Sequence, residues 1–440
     1  MIKISPLNSE LSECPSCKSH KTTTKKILFP GIHVVADSVC NACNLEFIQD
    51  LPVGHGCYYP VSINKNTEDV FDHFSIDWFT QNFIKSYFNK QKIDVSIERI
   101  IKKNQEDVII INCLDYLYGH VLLKLFNVQF YKEKHPDLGL IVIVPKNYLW
   151  LVPRFVDEIW IVDLKLNQLK KWYTSLSDSI NSYLTEYKTI QLAYNFPHPY
   201  TENIQIENFT QVEPFALDKF ESQSLNITYI YRTDRLWHRN KMEYFFYLAF
   251  KKLNLLRLVE WVFMYVQNRN IGKTEAILRK SFPDLVFNVV GLGKKGNFKG
   301  RIIDKRVDLP TIDIEIEWCK TYAASHVVVG IHGSNMLLPT GLAAAFVELL
   351  PIDRTGNLTQ DVITRYTGRI ALFMGRFISD KSSAHLVANQ VKAIYTGWEG
   401  LVIKDLSSPY VNGETGRKKE HWVKVKPDHI HSLSAEIDVV

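Results

Sequence analysis

The stretch VVVGIHGSNMLLPTGLAAAFVELLP, from Val327 to Pro351, decides how the C-terminal half of this chain folds. Its two apolar runs are short and continuous, which is typical of strands buried on both faces of a parallel sheet. Between them, Gly333 permits a tight turn, and Pro339 excludes a long helix because proline lacks the N–H group that a helix interior needs. The stretch therefore predicts a strand, a tight turn, one short helix and a second strand.

The polar residues of this stretch follow the first predicted strand. His332 is expected at the carboxyl edge of the sheet, where its ring can donate a hydrogen bond to a phosphate. Gly333 allows a close backbone approach, and the amides of Ser334 and Asn335 at a helix start suit an anion. Glu348 ends the next strand and is a candidate acceptor for ribose hydroxyls. The alternative interpretation is a purely structural turn between two core strands.

Alternation of short apolar runs with helical segments extends through most of the chain. Buried strands are predicted at 107–113, 139–145, 158–163, 227–232, 285–290 and 326–331. A polar, proline-marked linker from 196 to about 226 separates the two series. The sequence thus predicts two α/β domains of Rossmann-like type, at residues 57–215 and 216–440, the second with a C-terminal tail.

Residues 1–56 are different, because they are polar and contain two cysteine pairs. Cys14 and Cys17 form one CxxC motif, and Cys40 and Cys43 form the other. Two such motifs supply four thiolates in the tetrahedral arrangement that Zn²⁺ prefers, with no open position for catalysis. A small structural zinc ribbon is predicted here, with a redox dithiol as the alternative, and metal binding is expected to supply its folding energy.

Residues 311–351 resemble glycosyltransferase family 61, whose members carry a strand, an HGA-type turn, an LP step and a V-E-L-x-P strand. The preceding helix, Ile316–Ser325, also fits that family, whereas Ser334 stands where alanine is commoner. The resemblance implies a GT-B fold, in which two Rossmann-like domains face a cleft. It also implies a nucleotide-sugar donor and inverting, metal-independent transfer to a hydroxyl of a glycan or another acceptor.

Arg232 and Asp234 end the first strand of the second domain. An arginine at this position can bind a diphosphate with two parallel hydrogen bonds, which a lysine cannot. The string also resembles the R-x-D element of fucosyltransferases. Arg232 is therefore a candidate donor-binding residue and Asp234 a candidate catalytic residue, and the alternative is a surface ion pair.

Two candidates for a general base lie in the first domain. The segment Asn112–His120 resembles an N-x-x-x-H-type segment of family 61, with a longer spacing. Asp115 and His120 are expected on one side of the helix that follows the strand, so that either is a candidate base toward an acceptor hydroxyl. A packed or solvated helical histidine is the alternative.

The remaining motifs argue against other phosphate and metal sites. Gly291–Gly296 matches GxGxxG, but no helix follows it, so we predict a mobile basic loop in which Lys294 covers the donor phosphates. No DxD motif occurs in the setting of a metal-dependent transferase, since Asp313–Glu315 precedes a helix. A structural Zn²⁺ and no catalytic metal are therefore expected.

The bulk properties point to an intracellular protein. The N-terminus has no apolar signal segment, and the apolar stretch Tyr244–Val266 contains four charged residues, so we predict a buried amphipathic helix and not a membrane span. A cytoplasmic location is expected, with peripheral attachment to a membrane left open. The net charge of +5 is spread along the chain in both signs, and no nucleic acid is expected as a partner.

The sequence leaves two rival functions open. One is a nucleotide-sugar epimerase or hydrolase on the same scaffold. The other is a nucleic-acid-binding or scaffold protein, in which the basic loop of the zinc ribbon makes contacts and the α/β domains are inert.

Overall fold

The computed structural model describes most of the chain as two compact units. It describes residues 4–7, 13–54, 61–73, 77–195, 199, 201, 203–238, 241–296, 298, 301–351, 354, 360–363, 370–374, 383–396, 401–404 and 422–425. The units are Met1–Thr201 and Glu202–Val440. The predicted three-part division and the predicted cleft stay predictions, and most of the C-terminal tail lies outside the described residues.

The described part of the first unit contains eleven strands and three α-helices. They are β1 (Ile4–Pro6), β2 (Thr22–Leu28), β3 (Val35–Cys40), β4 (Glu46–Asp50), β5 (Ser62–Asn64), β6 (Val70–Phe71), α1 (Asp77–Phe88), β7 (Ile97–Ile101), β8 (Asp107–Asn112), α2 (Tyr118–Lys134), β9 (Gly139–Pro145), β10 (Glu158–Val162), α3 (Thr174–Leu184) and β11 (Thr189–Ala193).

An antiparallel sheet in the order β2-β3-β4-β5-β6 carries the cysteine pairs. It has an apolar core of its own, in which Val35, Ile48 and Ile63 pack with Phe83 of α1 and with Trp172. The sheet continues beyond residue 56 and buries apolar side chains against the rest of its unit, so burial contributes to its stability. The expectation that metal binding supplies the folding energy of residues 1–56 stays a prediction.

The other sheet of the first unit is mixed, in the order β1-β11-β8-β9-β10-β7. Its four central strands are parallel, and the edge strands β1 and β7 are antiparallel to their neighbours. If the parallel strands β8, β9, β10 and β11 are numbered 1 to 4 along the chain, their order across the sheet, read from β10 to β11, is 3-2-1-4. The connections therefore reverse direction between β8 and β11. The predicted strands at 107–113, 139–145 and 158–163 are confirmed as β8, β9 and β10.

The second unit contains the remaining elements. They are α4 (Ile206–Thr210), β12 (Asn226–Tyr231), α5 (Lys241–Lys252), α6 (Leu256–Ser281), β13 (Val286–Leu292), β14 (Ile302–Val307), α7 (Ile312–Ala323), β15 (Val327–Ile331), α8 (Leu337–Leu342), β16 (Ala345–Leu350), β17 (Ile370–Met374), α9 (Ser383–Thr396), β18 (Leu401–Lys404) and β19 (Trp422–Val425).

Strands β12 to β17 form one parallel sheet in the order β14-β13-β12-β15-β16-β17. This is the order 3-2-1-4-5-6 of the dinucleotide-binding Rossmann fold. The inward-facing side chains of the strands, among them Tyr229 and Val329, pack with Ile271 of α6 and Val387 of α9. The prediction of an α/β fold with parallel sheets is confirmed, and β18 and β19 form a separate antiparallel pair.

The stretch Val327–Pro351 forms the predicted strand, turn, short helix and second strand. β15 and β16 are buried along their whole length and are joined by a three-residue 3₁₀ turn, Ser334–Met336, and by the six-residue helix α8. Among the described residues, no helix combines the length and the apolarity that crossing a bilayer requires.

Two glycines test the packing of the second sheet. Gly291 has φ +121°, and a Cβ atom there would lie 2.1 Å from the main-chain oxygen of Tyr231 on the paired strand, whereas a Cβ on Gly272 of α6 would meet no atom within 4 Å. Gly291→Ala is expected to lower the free energy of unfolding by about 1–3 kcal/mol. Gly272→Ala is expected to raise it by roughly 0.5–1 kcal/mol, since alanine favours a helix interior. Urea denaturation measures the free energy of unfolding of both variants. Equal changes in the two variants would contradict the pairing of β12 with β13 at Gly291.

Candidate functional site

The connections of β12 and β15, the central strands of the second sheet, lead in opposite directions. β12 is followed by α5 and α6, which lead to β13, and β15 is followed by α8, which leads to β16 on the other side. Such a reversal opens a crevice at the carboxyl ends of the two strands, where open α/β sheets bind their ligands. The residues directly after β12 and β15 therefore line this switch point.

Arg232 follows β12 and reaches the segment after β15. Its Nη1 donates to the main-chain oxygen of His332 at 3.1 Å and to Oδ1 of Asn335 at 2.7 Å. Its Nε and Nη2 donate to the two carboxylate oxygens of Asp234 at 2.7 and 2.6 Å. Partial burial acts against ionisation, but the hydrogen bonds and the charge of Arg232 lower the pKa of Asp234 below its ordinary value. The structure thus brings four predicted site residues together.

A second guanidinium lies beside the first and was missed in the sequence. Nη1 of Arg235 donates to the same main-chain oxygen of His332 at 2.6 Å. Burial, together with the positive charges of Arg232 and Arg354, lowers the pKa of Arg235 below its ordinary value. Within the described residues, no carboxylate lies at ion-pair distance from Arg235. We call Arg232 and Arg235 the arginine pair, which carries more positive charge than Asp234 balances.

Gly333 has a steric role at this point. Its φ is +145°, and a Cβ atom would lie 2.2 Å from Nη1 of Arg232 and 2.8 Å from Nη1 of Arg235. Glycine is therefore required for both guanidinium groups to approach the same carbonyl group. The sequence predicted that Gly333 allows a close approach to the backbone. In the structure, the side chains of Arg232 and Arg235 make this approach.

The sequence predicted that the ring of His332 lies at the carboxyl edge of the sheet and can donate a hydrogen bond to a phosphate, whereas in the structure the ring is buried. Its side chain is 1% exposed, and Nδ1 lies 3.0 Å from Oε1 of Glu348, whose side chain is fully buried. Nε2 lies 3.5 Å from Oδ2 of Asp361. The ring is directed toward β16 because two carboxyl groups hold it there, so His332 presents its carbonyl and not its imidazole to the arginine pair. Glu348 is likewise inaccessible to a ribose in this conformation.

The predicted anion site at the amides of Ser334 and Asn335 also differs from expectation. The 3₁₀ turn that begins at Ser334 has three residues, and α8 has six. The dipole of so short a helix is weak, because it sums few peptide units. Asn335 contributes through its side chain, which binds Arg232, while Ser334 is half-buried beside it.

Lys294 lies on the loop after β13, one strand away from β12 at the same carboxyl edge. It is exposed, and the loop is held by the amide of Gly296, which donates to Oδ2 of Asp304 at 3.0 Å. Asp304 in turn binds the buried guanidinium of Arg306, which lies over the ring of Tyr231 at 4.4 Å. Lys294 therefore follows the strand that lies beside β12, the strand that Arg232 follows. No hydrogen bond joins Lys294 to the arginine pair in the described structure.

The candidate bases of the first unit lie at its own switch point, directly after β8. Nδ1 of His120 is 3.4 Å from Oδ1 of Asp115, and the His120 side chain is 15% exposed. The other carboxylate oxygen of Asp115 is 2.9 Å from Nζ of Lys124, and both of these side chains are fully buried. Asp115 lies before α2, which begins at Tyr118, and its Oδ1 accepts a hydrogen bond from the amide of Leu117 at 3.1 Å. The predicted proximity of Asp115 and His120 is present.

Lys124 and Arg235 could have been found from the sequence. Lys124 stands within the apolar run Val121–Phe126, and a lysine in the buried face of a helix needs a buried partner. Arg235 follows Arg232 by three residues at the same strand end. Cys113 beside this site is buried, and burial raises the pKa of its thiol to about 12, which disfavours the reactive thiolate.

The four predicted metal ligands come together at one end of the antiparallel sheet. The Sγ atoms of Cys14, Cys17, Cys40 and Cys43 all lie within 4.8 Å of one another. Each CxxC motif closes in the same way: the amide of Lys18 donates to the oxygen of Cys14, and that of Asn44 to the oxygen of Cys40. Lys18 and Asn44 both have φ of +60°. The four cysteines are close enough to bind one structural zinc ion.

Comparison with known proteins yields distant fold matches only. No protein-family model and no curated protein matches the sequence. A family 9 glycosyl transferase from Veillonella parvula DSM 2008 is 8% identical, with a TM-score of 0.40, over 68% of this chain and 99% of its own. The E. coli ADP-heptose lps heptosyltransferase II is 8% identical, with a TM-score of 0.38, over 67% of this chain and 100% of its own.

TarM is 12% identical, with a TM-score of 0.25, over 87% of this chain and 69% of its own. Likenesses of this degree carry no argument about activity. The resemblance to glycosyltransferase family 61 is not tested by these matches and stays a prediction.

The buried ion pair of the first unit generates a stability prediction. Lys124→Met leaves the Asp115 carboxylate buried without its cation and is expected to cost about 3–5 kcal/mol of unfolding free energy. The double variant Asp115→Asn, Lys124→Met buries no charge and is expected to be more stable than Lys124→Met alone. A double-mutant cycle in urea measures the coupling. A coupling energy near zero would contradict the pair.

Proposed function

We propose that this protein is a glycosyltransferase that moves a sugar from a nucleotide-sugar donor to a hydroxyl acceptor. One observation carries the proposal: two guanidinium groups meet at the switch point of a sheet with Rossmann strand order, and among the described residues only Arg232 has a carboxylate at ion-pair distance. A nucleoside diphosphate combines a base and ribose, which this fold accommodates, with the charge that the arginine pair lacks.

Arg235 is the primary phosphate ligand in this proposal. Arg232 is the second, although Asp234 occupies two of its donors in the structure. The Asp234 side chain is 67% exposed, whereas that of Arg232 is 12% exposed. A diphosphate carries more negative charge than the single carboxylate of Asp234 and can bind a guanidinium with the same two parallel hydrogen bonds, so it competes with Asp234 for Arg232. This gives Asp234 the role of holding Arg232 in place before the donor binds.

His332, Glu348 and Asp361 are proposed as positioning residues. The two carboxyl groups fix the ring of His332, and the ring fixes the carbonyl group that aligns the arginine pair. Ser334 and Lys294 stay candidate contacts for the donor phosphates, as the sequence predicted.

His120 is proposed as the general base, with Asp115 as the group that orients it. Nδ1 of His120 is directed at Asp115, so the proposal assigns the acceptor proton to Nε2. The deprotonated acceptor oxygen attacks the anomeric carbon as the bond from that carbon to the diphosphate oxygen breaks. The electron pair goes to the diphosphate, whose growing charge Arg232 and Arg235 stabilise, and the configuration at carbon inverts.

The proposal includes no divalent metal at the donor, because two guanidinium groups supply the positive charge that a metal supplies elsewhere. The family 61 resemblance points the same way. The acceptor is proposed to be a glycan or another hydroxyl compound.

Donor binding tests the proposal directly. Nucleoside diphosphates and their sugars are expected to raise the melting temperature of the protein, since a ligand at a hundredfold excess over its Kd adds about 2.7 kcal/mol to folded-state stability. Arg235→Ala is expected to abolish this shift. Arg269→Ala, which removes an exposed arginine from α6, is expected to retain it. Absence of any shift, or an equal shift in both variants, would contradict the site.

Product analysis then separates the reaction classes. With the donor that gives the largest shift, transfer requires a hydroxyl acceptor, hydrolysis proceeds without one, and epimerisation leaves the nucleotide sugar intact.

We further propose that the cysteine cluster binds one structural Zn²⁺ in a zinc ribbon. The Sγ atoms of Cys14 and Cys43 are 3.6 Å apart, as are those of Cys17 and Cys40. A tetrahedral site with zinc–sulfur bonds of about 2.3 Å has sulfur–sulfur edges of about 3.8 Å. These two edges fit a zinc ion, and all four sulfur atoms lie within 4.8 Å of one another. In this position the ion fixes the two turns at the end of the sheet.

Metal analysis is expected to give one zinc ion for each chain, and Cys17→Ser is expected to lose it. Because the sheet has its own core, chelation is expected to expose residues 14–19 and 40–45 to proteases while the second unit keeps its unfolding transition. Cys319→Ala, which removes a buried thiol from α7, is the control and is expected to keep the metal. Zinc-free protein with all four cysteines reduced would contradict this proposal.

A further inference from the structure

An apolar helical hairpin projects from the second unit. Helices α5 and α6 are joined by a turn at Leu253–Leu255, in which Asn254 has φ +57°. We use "apolar hairpin" for residues 241–265. Its exposed large apolar side chains are Met242, Phe245, Phe246, Leu248, Leu253, Leu255, Leu258, Trp261, Val262 and Tyr265. The prediction of one buried amphipathic helix over Tyr244–Val266 is therefore wrong, because the stretch folds back on itself and leaves an apolar face uncovered.

The exposed residues form a stripe on each helix. On α6, Leu258, Trp261, Val262 and Tyr265 follow the spacing i, i+3, i+4, i+7, and Leu258 and Trp261 are each 71% exposed. On α5, Met242, Phe245 and Phe246 follow the same spacing. Scattered exposed apolar residues are normal on a protein surface, but a continuous stripe on two packed helices marks an interaction surface.

The length of α6 explains why this surface is left uncovered. Its 26 residues extend about 39 Å, whereas the seven residues of β13 extend about 23 Å. Phe263 is the first residue of α6 with a buried side chain. Since α6 runs antiparallel to the strands, its first part and α5 extend past the carboxyl edge of the sheet. Leu236, Tyr247 and Phe263 form a small core that holds the two helices together.

The fully exposed charges around the apolar stripe have one sign. Lys251, Lys252 and Arg257 are exposed at the end of the hairpin. Of the two acidic residues of the segment, Glu243 is buried and Glu260 is half-buried. The described residues 242–265 therefore expose three cations and no fully exposed carboxylate.

We propose that the apolar hairpin docks on a bilayer surface that contains anionic phospholipids. Its apolar side chains insert at the level of the headgroups and the first acyl carbons, and its cations contact lipid phosphates. A second copy of this chain fits less well, because both copies would bring the same three exposed cations and neither a fully exposed carboxylate from residues 242–265 to pair with them. Tryptophan and tyrosine, both present on the stripe, favour the membrane–water interface.

The surface is connected to the arginine pair. Tyr247 of α5 donates its hydroxyl to the main-chain oxygen of Asp234 at 3.4 Å, and Nε2 of Gln267 in α6 donates to the main-chain oxygen of Arg232 at 3.1 Å. Docking of the hairpin therefore places the carboxyl edge of the second sheet near the lipid surface. The inference does not depend on the proposed reaction, and a vesicle assay tests it without any substrate.

Co-sedimentation with vesicles is the experiment. The full-length protein is expected to bind vesicles of phosphatidylcholine with 30% phosphatidylglycerol, and to bind pure phosphatidylcholine more weakly. The variant Leu258→Ser, Trp261→Ser is expected to bind at least tenfold less, because it removes two large apolar groups from an exposed position where folding does not need them. Leu309→Ser, at an 85% exposed leucine outside the hairpin, is the matched control and is expected to bind as wild type.

A charge variant tests the electrostatic part. Lys251→Gln, Lys252→Gln, Arg257→Gln is expected to bind anionic vesicles on the order of a hundredfold less at low salt, at roughly fivefold for each cation. Vesicle binding that is absent, or unchanged in the Leu258→Ser, Trp261→Ser variant, would overturn the proposal. The proposal would also be overturned if the wild-type protein is a dimer in sedimentation equilibrium and binds no vesicles, while the Leu258→Ser, Trp261→Ser variant is a monomer. The surface would then serve a second copy of the chain.

Discussion

Two guanidinium groups on one main-chain carbonyl oxygen form the interaction on which the candidate site depends. Arg232 and Arg235 reach the His332 oxygen only because residue 333 has no Cβ atom. The carbonyl is in turn held by a buried imidazole between two carboxyl groups. A positive φ, a buried histidine and an arginine pair are therefore one arrangement, in which each part requires the others.

The two units place a polar cluster at the same point of their sheet topology, but the balance of positive and negative charge in the two clusters differs. In each, a polar cluster follows the first parallel strand at the point where the connections reverse. In the first unit, Asp115 is balanced by the fully buried Lys124, and His120 is the member of that cluster with exposed surface. In the second, the arginine pair is balanced only in part by an ion pair within the described residues, the one with Asp234. An oriented imidazole suits proton transfer and a surplus of positive charge suits a leaving diphosphate, which is the division of roles in the proposed function.

The sequence predicted most of the second sheet and most of the residues at its edge. Continuous apolar runs identify buried parallel strands, and the residues after them must share the carboxyl edge, so the proximity of Arg232, His332 and Asn335 followed from their positions. The direction of the His332 ring did not, because it depends on Asp361 and Glu348 across the sheet. The hairpin was mistaken for a buried helix because periodicity shows which face is apolar and not whether anything covers it. The extent of the antiparallel sheet was missed because its short strands carry little pattern.

The ion pair between Asp115 and Lys124 has a consequence for how the first unit assembles. Neither charge can enter the apolar interior alone at an acceptable free-energy cost, so the start of α2 cannot dock while its middle is still solvated. Lys124 also donates to the main-chain oxygen of Leu114 at 2.8 Å, which ties the end of β8 into the same step. Strand and helix are therefore expected to join in a single cooperative event, and partly docked forms of this region should be sparsely populated in the native ensemble.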